Sequence, residues 1–285
     1  MTAVLRRRTG RRRSLISDGL AVGAFVYLAW VWQFVLATGS HVDVAAYWRG
    51  AAGDPYALSH LGGEGAVLYS PVVSQLLAPF ASLPLAVLVG ALLAASLVAG
   101  VYLVGPIVAA LVLVVPLPFV WQDLSSGNIH VLIAAAVVLG FRFPAAWSFV
   151  LLTKVTPGVA LLWFAVRREW RALVTALGAT AAIAAVSFVL APNLWEQWVG
   201  VLRANASTAP GGMSVPVPLQ LRLPLAAALV WWGARHNYPW TVPLAAMLAL
   251  PAIWIYDGFA VLLGVLSLMI RPDRANAAPA EQPTG

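Results

Sequence analysis

Long apolar runs of Leu, Ala and Val alternate along this chain with short polar knots rich in Gly, Pro, Asp and Arg. Residues 19–37 form the first run, and 38–67 follow as a polar, Gly-rich loop holding Asp43, Arg49, Asp54, His60 and Glu64. Leu68-Tyr69-Ser70-Pro71 opens a short apolar stretch ending at Pro84, and the flanking prolines predict a short helix at the membrane interface. Residues 85–104 are long enough to cross a bilayer, and Gly105-Pro106 reads as a turn. A crossing at 107–121 carries Pro116 and Pro118, and Gln122 to Asn128 is a polar break before a return over 129–141. Residues 144–166 are divided by Lys154-Val155-Thr156-Pro157, which predicts two short helices meeting near the outer face. Crossings follow at 172–190, 219–234, 239–254 and 258–270, with an outer loop at 191–218 and an outer turn at Tyr256-Asp257.

This pattern predicts an all-α integral membrane protein of about ten membrane segments, several of them short or broken. Its domains are a basic cytoplasmic tail, 1–18, a single polytopic membrane domain, 19–270, and a disordered cytoplasmic tail, 271–285. Composition agrees, with 61% hydrophobic and 9% charged residues, against roughly 25% charged in a soluble domain. A transmembrane barrel would show short alternating segments, which are absent from the sequence.

The net charge of +7 does not point to nucleic acid, because six arginines lie in Arg6-Arg7-Arg8 and Arg11-Arg12-Arg13, just before an apolar helix. That order also fits a cleaved signal peptide, but residues 19–37 are long for one and further membrane segments follow. The predicted topology puts thirteen arginines inside and three outside, at 49, 203 and 222. Both termini are then cytoplasmic, in the cell membrane, by the positive-inside rule. With no cysteine there are no disulfides to place.

The same topology gathers Asp43, Gln122, Asp123, Asn128, His130, Lys154, Thr156 and Asp257 at the outer face. An acid at a membrane edge either marks the water interface or serves a polar site. Lys154, the only lysine, either snorkels to the interface or pairs with an acid or an anionic phosphate. His130 reads as a structural hydrogen-bonding residue, since no His-x-x-x-His spacing is present. No tight acid pair suggests a metal, although Asp43 and Asp257 could share a divalent ion if the fold brought them together. Asn205-Ala206-Ser207 fits a glycosylation sequon, a common tripeptide. Most of the thirteen tryptophans suit interfacial belts, while Trp48 and Trp121 could instead stack on a sugar ring.

The order of Asp43, Tyr47, Gly53-Asp54-Pro55-Tyr56, Leu68-Tyr69-Ser70-Pro71, Gly127-Asn128-Ile129-His130 and Lys154-Val155-Thr156-Pro157 resembles the actinobacterial polyprenyl-phosphate-mannose-dependent mannosyltransferases of lipoglycan synthesis. The departures are Ser70 for a proline, Gly-Asn-Ile-His for Gly-Gln-x-Asn, and Tyr256-Asp257 where a histidine is common. The resemblance implies a GT-C-like polytopic helical bundle. It also implies inverting transfer of mannose, or another hexose or pentose, from a polyprenyl-phosphate donor to a glycolipid or glycan acceptor on the extracytoplasmic face. Carried over residue by residue, Asp43 is the catalytic base, and Lys154 and Arg49 bind the donor phosphate. Tyr47, Trp48, Tyr69, Asn128, His130 and Asp257 are the candidates for contacting sugar or acceptor. No cofactor is required, and the expected partners are the lipid bilayer, donor and acceptor. Two other classes remain open: a lipid-linked sugar transporter or flippase, and a non-catalytic accessory protein.

Overall fold

The computed structural model describes residues 41–57, 66–106, 109, 123–205, 214–254 and 258–275. The expectations for the basic tail, the first apolar run, the loop residues His60 and Glu64, the crossing at 107–121 apart from Ala109, and Asp257 lie outside these residues. The described chain is helical, with one isolated bridge between Ser214 and Trp254.

The first described element corrects the sequence expectation. Within 38–67, read as a loop, Val42–Ala52 is a helix, α1. Its buried Val44, Tyr47 and Gly50 recur every third position, the spacing of one helix face. Asp43 in the first turn and Arg49 in the last both suit the helix dipole. Beyond Gly53, the Asp54 side chain accepts the Tyr56 N–H at 2.9 Å and turns the chain back.

Pro71–Leu77 (α2) starts with proline at its first position, where a missing N–H costs nothing, and runs into a 3-10 turn, Ala78–Ser82. Leu85–Val104 (α3) stops at Gly105, whose φ of 82° glycine adopts without strain. After one helical turn at 123–126, Gly127 reverses the chain at φ 74° into His130–Leu139 (α4). The expected break within 144–166 is present. Trp147–Thr153 (α5) ends at extended Lys154, followed by a 3-10 segment, Thr156–Leu161, and Leu162–Val166 (α6). Pro157 explains the break, since its ring clashes with the Thr153 carbonyl of a continuous helix and offers it no N–H.

Trp170–Leu190 (α7) leads directly to Pro192–Asn205 (α8). The outer loop expected at 191–218 is therefore a helix over half its length, begun by Pro192 at a permitted first-turn position. Leu219–His236 (α9), Thr241–Leu248 (α10), a 3-10 turn at Gly258–Val261 and Leu262–Ile270 (α11) complete the described helices. The tail, expected to be disordered from Arg271, begins with a 3-10 turn, Pro272–Ala275. Arg274 holds that turn to the end of α3, donating to the Leu103 carbonyl at 3.1 Å and stacking over Tyr102.

Helices α3 and α7 are long and apolar enough to cross a membrane. Of α7 only Ala176 and Ser187 are buried, while Val174, Val186, Phe188 and Val189 stand exposed. An apolar surface of that extent belongs in lipid. The core lies around α4, where Ile133, Ala134 and Val137 are fully enclosed, with Trp147, Phe164 and Leu250 around them.

The contacts sort the helix ends into two sets. Trp48 bonds the Phe80 and Leu83 carbonyls, Gln75 bonds the Ser187 carbonyl, and Trp198 bonds the Leu68 carbonyl. These join α1, α2, the start of α3, the end of α7 and α8 at one end. At the other, Arg167 bonds Asn237 and Arg274 bonds Leu103. The turns at this second end carry Arg167, Arg168, Arg171, Arg235, Arg271 and Arg274.

Candidate active site

The turn between Asp123 and His130 builds the site at the first end of the bundle. The Asn128 N–H donates to the Asp123 carbonyl at 2.9 Å, closing a loop whose reversal requires positive φ at Gly127. A side chain on Gly127 would also strike Val44, one residue from Asp43, with Cβ atoms 2.6 Å apart. Glycine therefore lets this turn lie directly against α1.

That approach brings Asn128 to Asp43, and the same turn carries the histidine that meets Lys154. Asn128 donates its side-chain N–H to Asp43 Oδ2 at 3.0 Å, while its Oδ1 accepts the Ile129 N–H. His130 uses both ring nitrogens: Nδ1 lies 2.7 Å from Asp123 Oδ1, and Nε2 lies 2.7 Å from Lys154 Nζ. An ammonium has only donors, so Nε2 accepts from Lys154 and Nδ1–H donates to Asp123. Asp123 Oδ2 also receives the Val131 N–H at 3.3 Å. Both Asp123 and His130 are completely buried.

On the α1 side, Tyr47 sits one helical turn beyond Asp43 and its hydroxyl meets that of Tyr69 at 2.8 Å. The Tyr69 ring faces the Lys154 ammonium at 5.9 Å from its centroid, within cation–π range. Tyr69 is itself placed by Tyr56, whose hydroxyl donates to its carbonyl, and by Ser70, which bonds the Leu152 carbonyl just ahead of Lys154.

Burial pushes the Asp43 carboxyl above the ordinary carboxylate range, opposed by the Lys154 charge and by hydrogen bonds from Ser126 and Asn128. Asp123 is pushed up to about 7, again by burial, against the Val131 N–H and the Lys154 charge. Tyr47 is also raised, by burial and by its Tyr69 and Asp43 neighbours, and stays a neutral phenol. The result is a raised acid beside one cation, the combination needed by a base that works near neutral pH while an anion departs.

Of the residues singled out in the sequence, Asp43, Tyr47, Tyr69, Asn128, His130 and Lys154 come together. Trp48 and Arg49 do not join them. The Trp48 indole is spent on the Phe80 and Leu83 carbonyls, and Arg49 lies on the exposed side of α1. Asp257 lies outside the described residues. Asp123 was noted among the outer polar residues but given no role, and its link to His130 had no sequence signal beyond two polar residues flanking a glycine turn. Among the described residues no group of three His, Asp or Glu side chains could hold a metal ion.

A helical membrane protein with a half-buried carboxylate facing a braced lysine is the class that fold and site define. Within it, the chain belongs to glycosyltransferase family 87, which matches residues 67–281. Family membership implies glycosyltransferase activity. No curated protein and no solved structure matches the chain.

Proposed function

We propose that this protein is an inverting glycosyltransferase that moves mannose, or another hexose or pentose, from a polyprenyl-phosphate donor to a lipid-linked or glycan acceptor. The observation that carries the reading is the 123–130 turn, which holds Asp43 through Asn128 and Lys154 through His130. Asp43 takes the proton from the acceptor hydroxyl. The acceptor oxygen forms its bond to the anomeric carbon as the bond to the phosphate oxygen breaks, and the electron pair leaves with the phosphate. Base and leaving group stand on opposite faces of the sugar, which gives inversion, as in inverting glycoside chemistry. Lys154 offsets the charge that gathers on the departing phosphate. In this reading the end of the bundle that carries the site faces the extracytoplasmic side of the cell membrane, and the arginine-rich turns face the cytoplasm.

The test is transfer by the purified protein from radiolabelled polyprenyl-phosphate-mannose to a glycolipid extract, with Asp43→Asn in parallel. Labelled glycolipid from the wild type alone supports both the reaction and the base. Label from both proteins removes Asp43 from its role, and no product with any acceptor sinks the reading.

A further inference from the structure

The Gly127-Asn128-Ile129-His130 segment departs from the motif of the enzymes this chain resembles, and its histidine makes and breaks no bond in the reaction above. Its geometry gives it a positioning role. Lys154 sits at the break that ends α5, in extended backbone with φ −136° and ψ 105°. Its own N–H bonds the Val150 carbonyl of the preceding helix. A four-carbon stem there has many rotamers open to it, and an ammonium that samples them all is a poor ligand for a single anion. His130, rigid and completely buried at the start of α4, meets that ammonium at 2.7 Å. Asp123 stands behind it, also at 2.7 Å.

We propose that Asp123 and His130 form a positioning pair that pins the Lys154 ammonium beside Asp43, so that one turn of chain sets both the base and the donor-phosphate cation. The role of the cation rests on the function proposed above. Asp123 fixes the imidazole with its proton on Nδ1, which leaves Nε2 as an acceptor aimed at Lys154. Asn at 123 would place an amide N–H against either the Val131 N–H or the imidazole Nδ1–H. Relief at the imidazole requires the opposite tautomer, which would turn an N–H toward the ammonium. The same substitution beside a catalytic histidine is damaging for this tautomeric reason in serine proteases. Asn128 lies two residues from His130 and holds Asp43, so the changed segment keeps both reactive groups in register.

A merely structural histidine predicts something different: lost stability and no specific effect on Lys154. Because Lys154 is the only lysine, its reaction with an acylating reagent can be followed by mass spectrometry without donor or acceptor, with the α-amino group as reference. In His130→Gln the side-chain amide reaches the Nε2 position, and in His130→Asn only the Nδ1 position. Expected at fixed pH is acylation of Lys154 about tenfold faster in Asp123→Asn and His130→Asn, the equivalent of one pKa unit. His130→Gln should restore most of the wild-type protection. In transfer, Asp123→Asn and His130→Asn should raise the donor KM by a similar factor with a smaller fall in kcat. The double variant His130→Asn/Lys154→Ala should be no worse than Lys154→Ala alone, as expected when one residue acts through the other. Equal acylation rates in all variants, or additive losses in the double variant, would overturn the proposal. Acylation that responds as expected in a wild-type protein that transfers no sugar would leave the brace standing and remove its donor role.

Discussion

At the scale of single residues, the raised Asp43 and Asp123 tie activity and stability to pH in opposite directions. Each holds its proton to a higher pH than in the unfolded chain, where an aspartate titrates near about 3.9. The stabilisation from each is therefore complete below that value and lost as pH rises through the folded value, about 7 for Asp123. Activity runs the other way, because Asp43 must be ionised to act as base and Asp123 to hold His130. Between pH 4 and 7, kcat/KM should rise while the thermal midpoint falls. A flat acid limb would argue against Asp43 as the base. Asp43→Asn should lower kcat by about 10²–10⁴-fold, the range of a lost general base, with the folded protein retained. Gly127→Ala tests the close approach instead. It combines a positive φ with a collision at Val44 and should reduce both transfer and melting temperature, at about 1–3 kcal/mol. Asp43 and Lys154 were legible in the sequence because each is a charge beside an apolar run. Their supports were not, since Asn128 meets Asp43 across 85 positions and nothing local records that pairing.

Among the elements, the long apolar runs punctuated by proline or glycine were readable. Leu85–Val104 runs between Pro84 and Gly105 as expected, and Pro157 marks the break after α5. Val42–Ala52 was missed because Gly50, Gly53 and Asp54 gave its segment the composition of a loop, while its helical signal was only Val44, Tyr47 and Gly50. Pro192–Asn205 was missed for a related reason. Its inner face is marked chiefly by Trp195 and Trp198, whose indoles reach the Ser187 hydroxyl and the Leu68 carbonyl. Arg222, expected on the outer side at the start of the 219–234 crossing, is buried on α9 and donates to the carbonyls of Val217, Leu248, Leu250 and Pro251. It closes the end of α10, where helix carbonyls have no partners of their own. Arg222→Met should strand those carbonyls and cost about 2–5 kcal/mol, read as a lower unfolding temperature in detergent. An unchanged melting curve would mean that other groups satisfy the carbonyls.

For the whole molecule, the arrangement of ends carries a topological prediction that single residues cannot. Helices α4, α6 and α9 leave the site and α7 returns to it, so chemistry and arginine-rich turns are separated by the length of the bundle. A 20-residue α3 joins the two sets, and at 1.5 Å per residue it spans about 30 Å, the thickness of a hydrocarbon core. If Lys154 receives a donor on the extracytoplasmic side, everything at its end must be reachable from outside and everything near Arg167 and Arg274 must not be. The chain has no cysteine, so each introduced thiol is unique. Ala57 and Gln197 are exposed at the site end, and His236 and Asp273 are exposed at the other, and none of the four removes an arginine that sets orientation. In intact cells a membrane-impermeant maleimide should label Ala57→Cys and Gln197→Cys, and should reach His236→Cys and Asp273→Cys only after permeabilisation. The reverse pattern would place Asp43 and Lys154 in the cytoplasm, where the proposed donor geometry fails even if the family's transfer chemistry survives. Labelling of one residue from each end would break the two-ended arrangement itself, and with it the case that Asn128 and His130 organise a site on one membrane face.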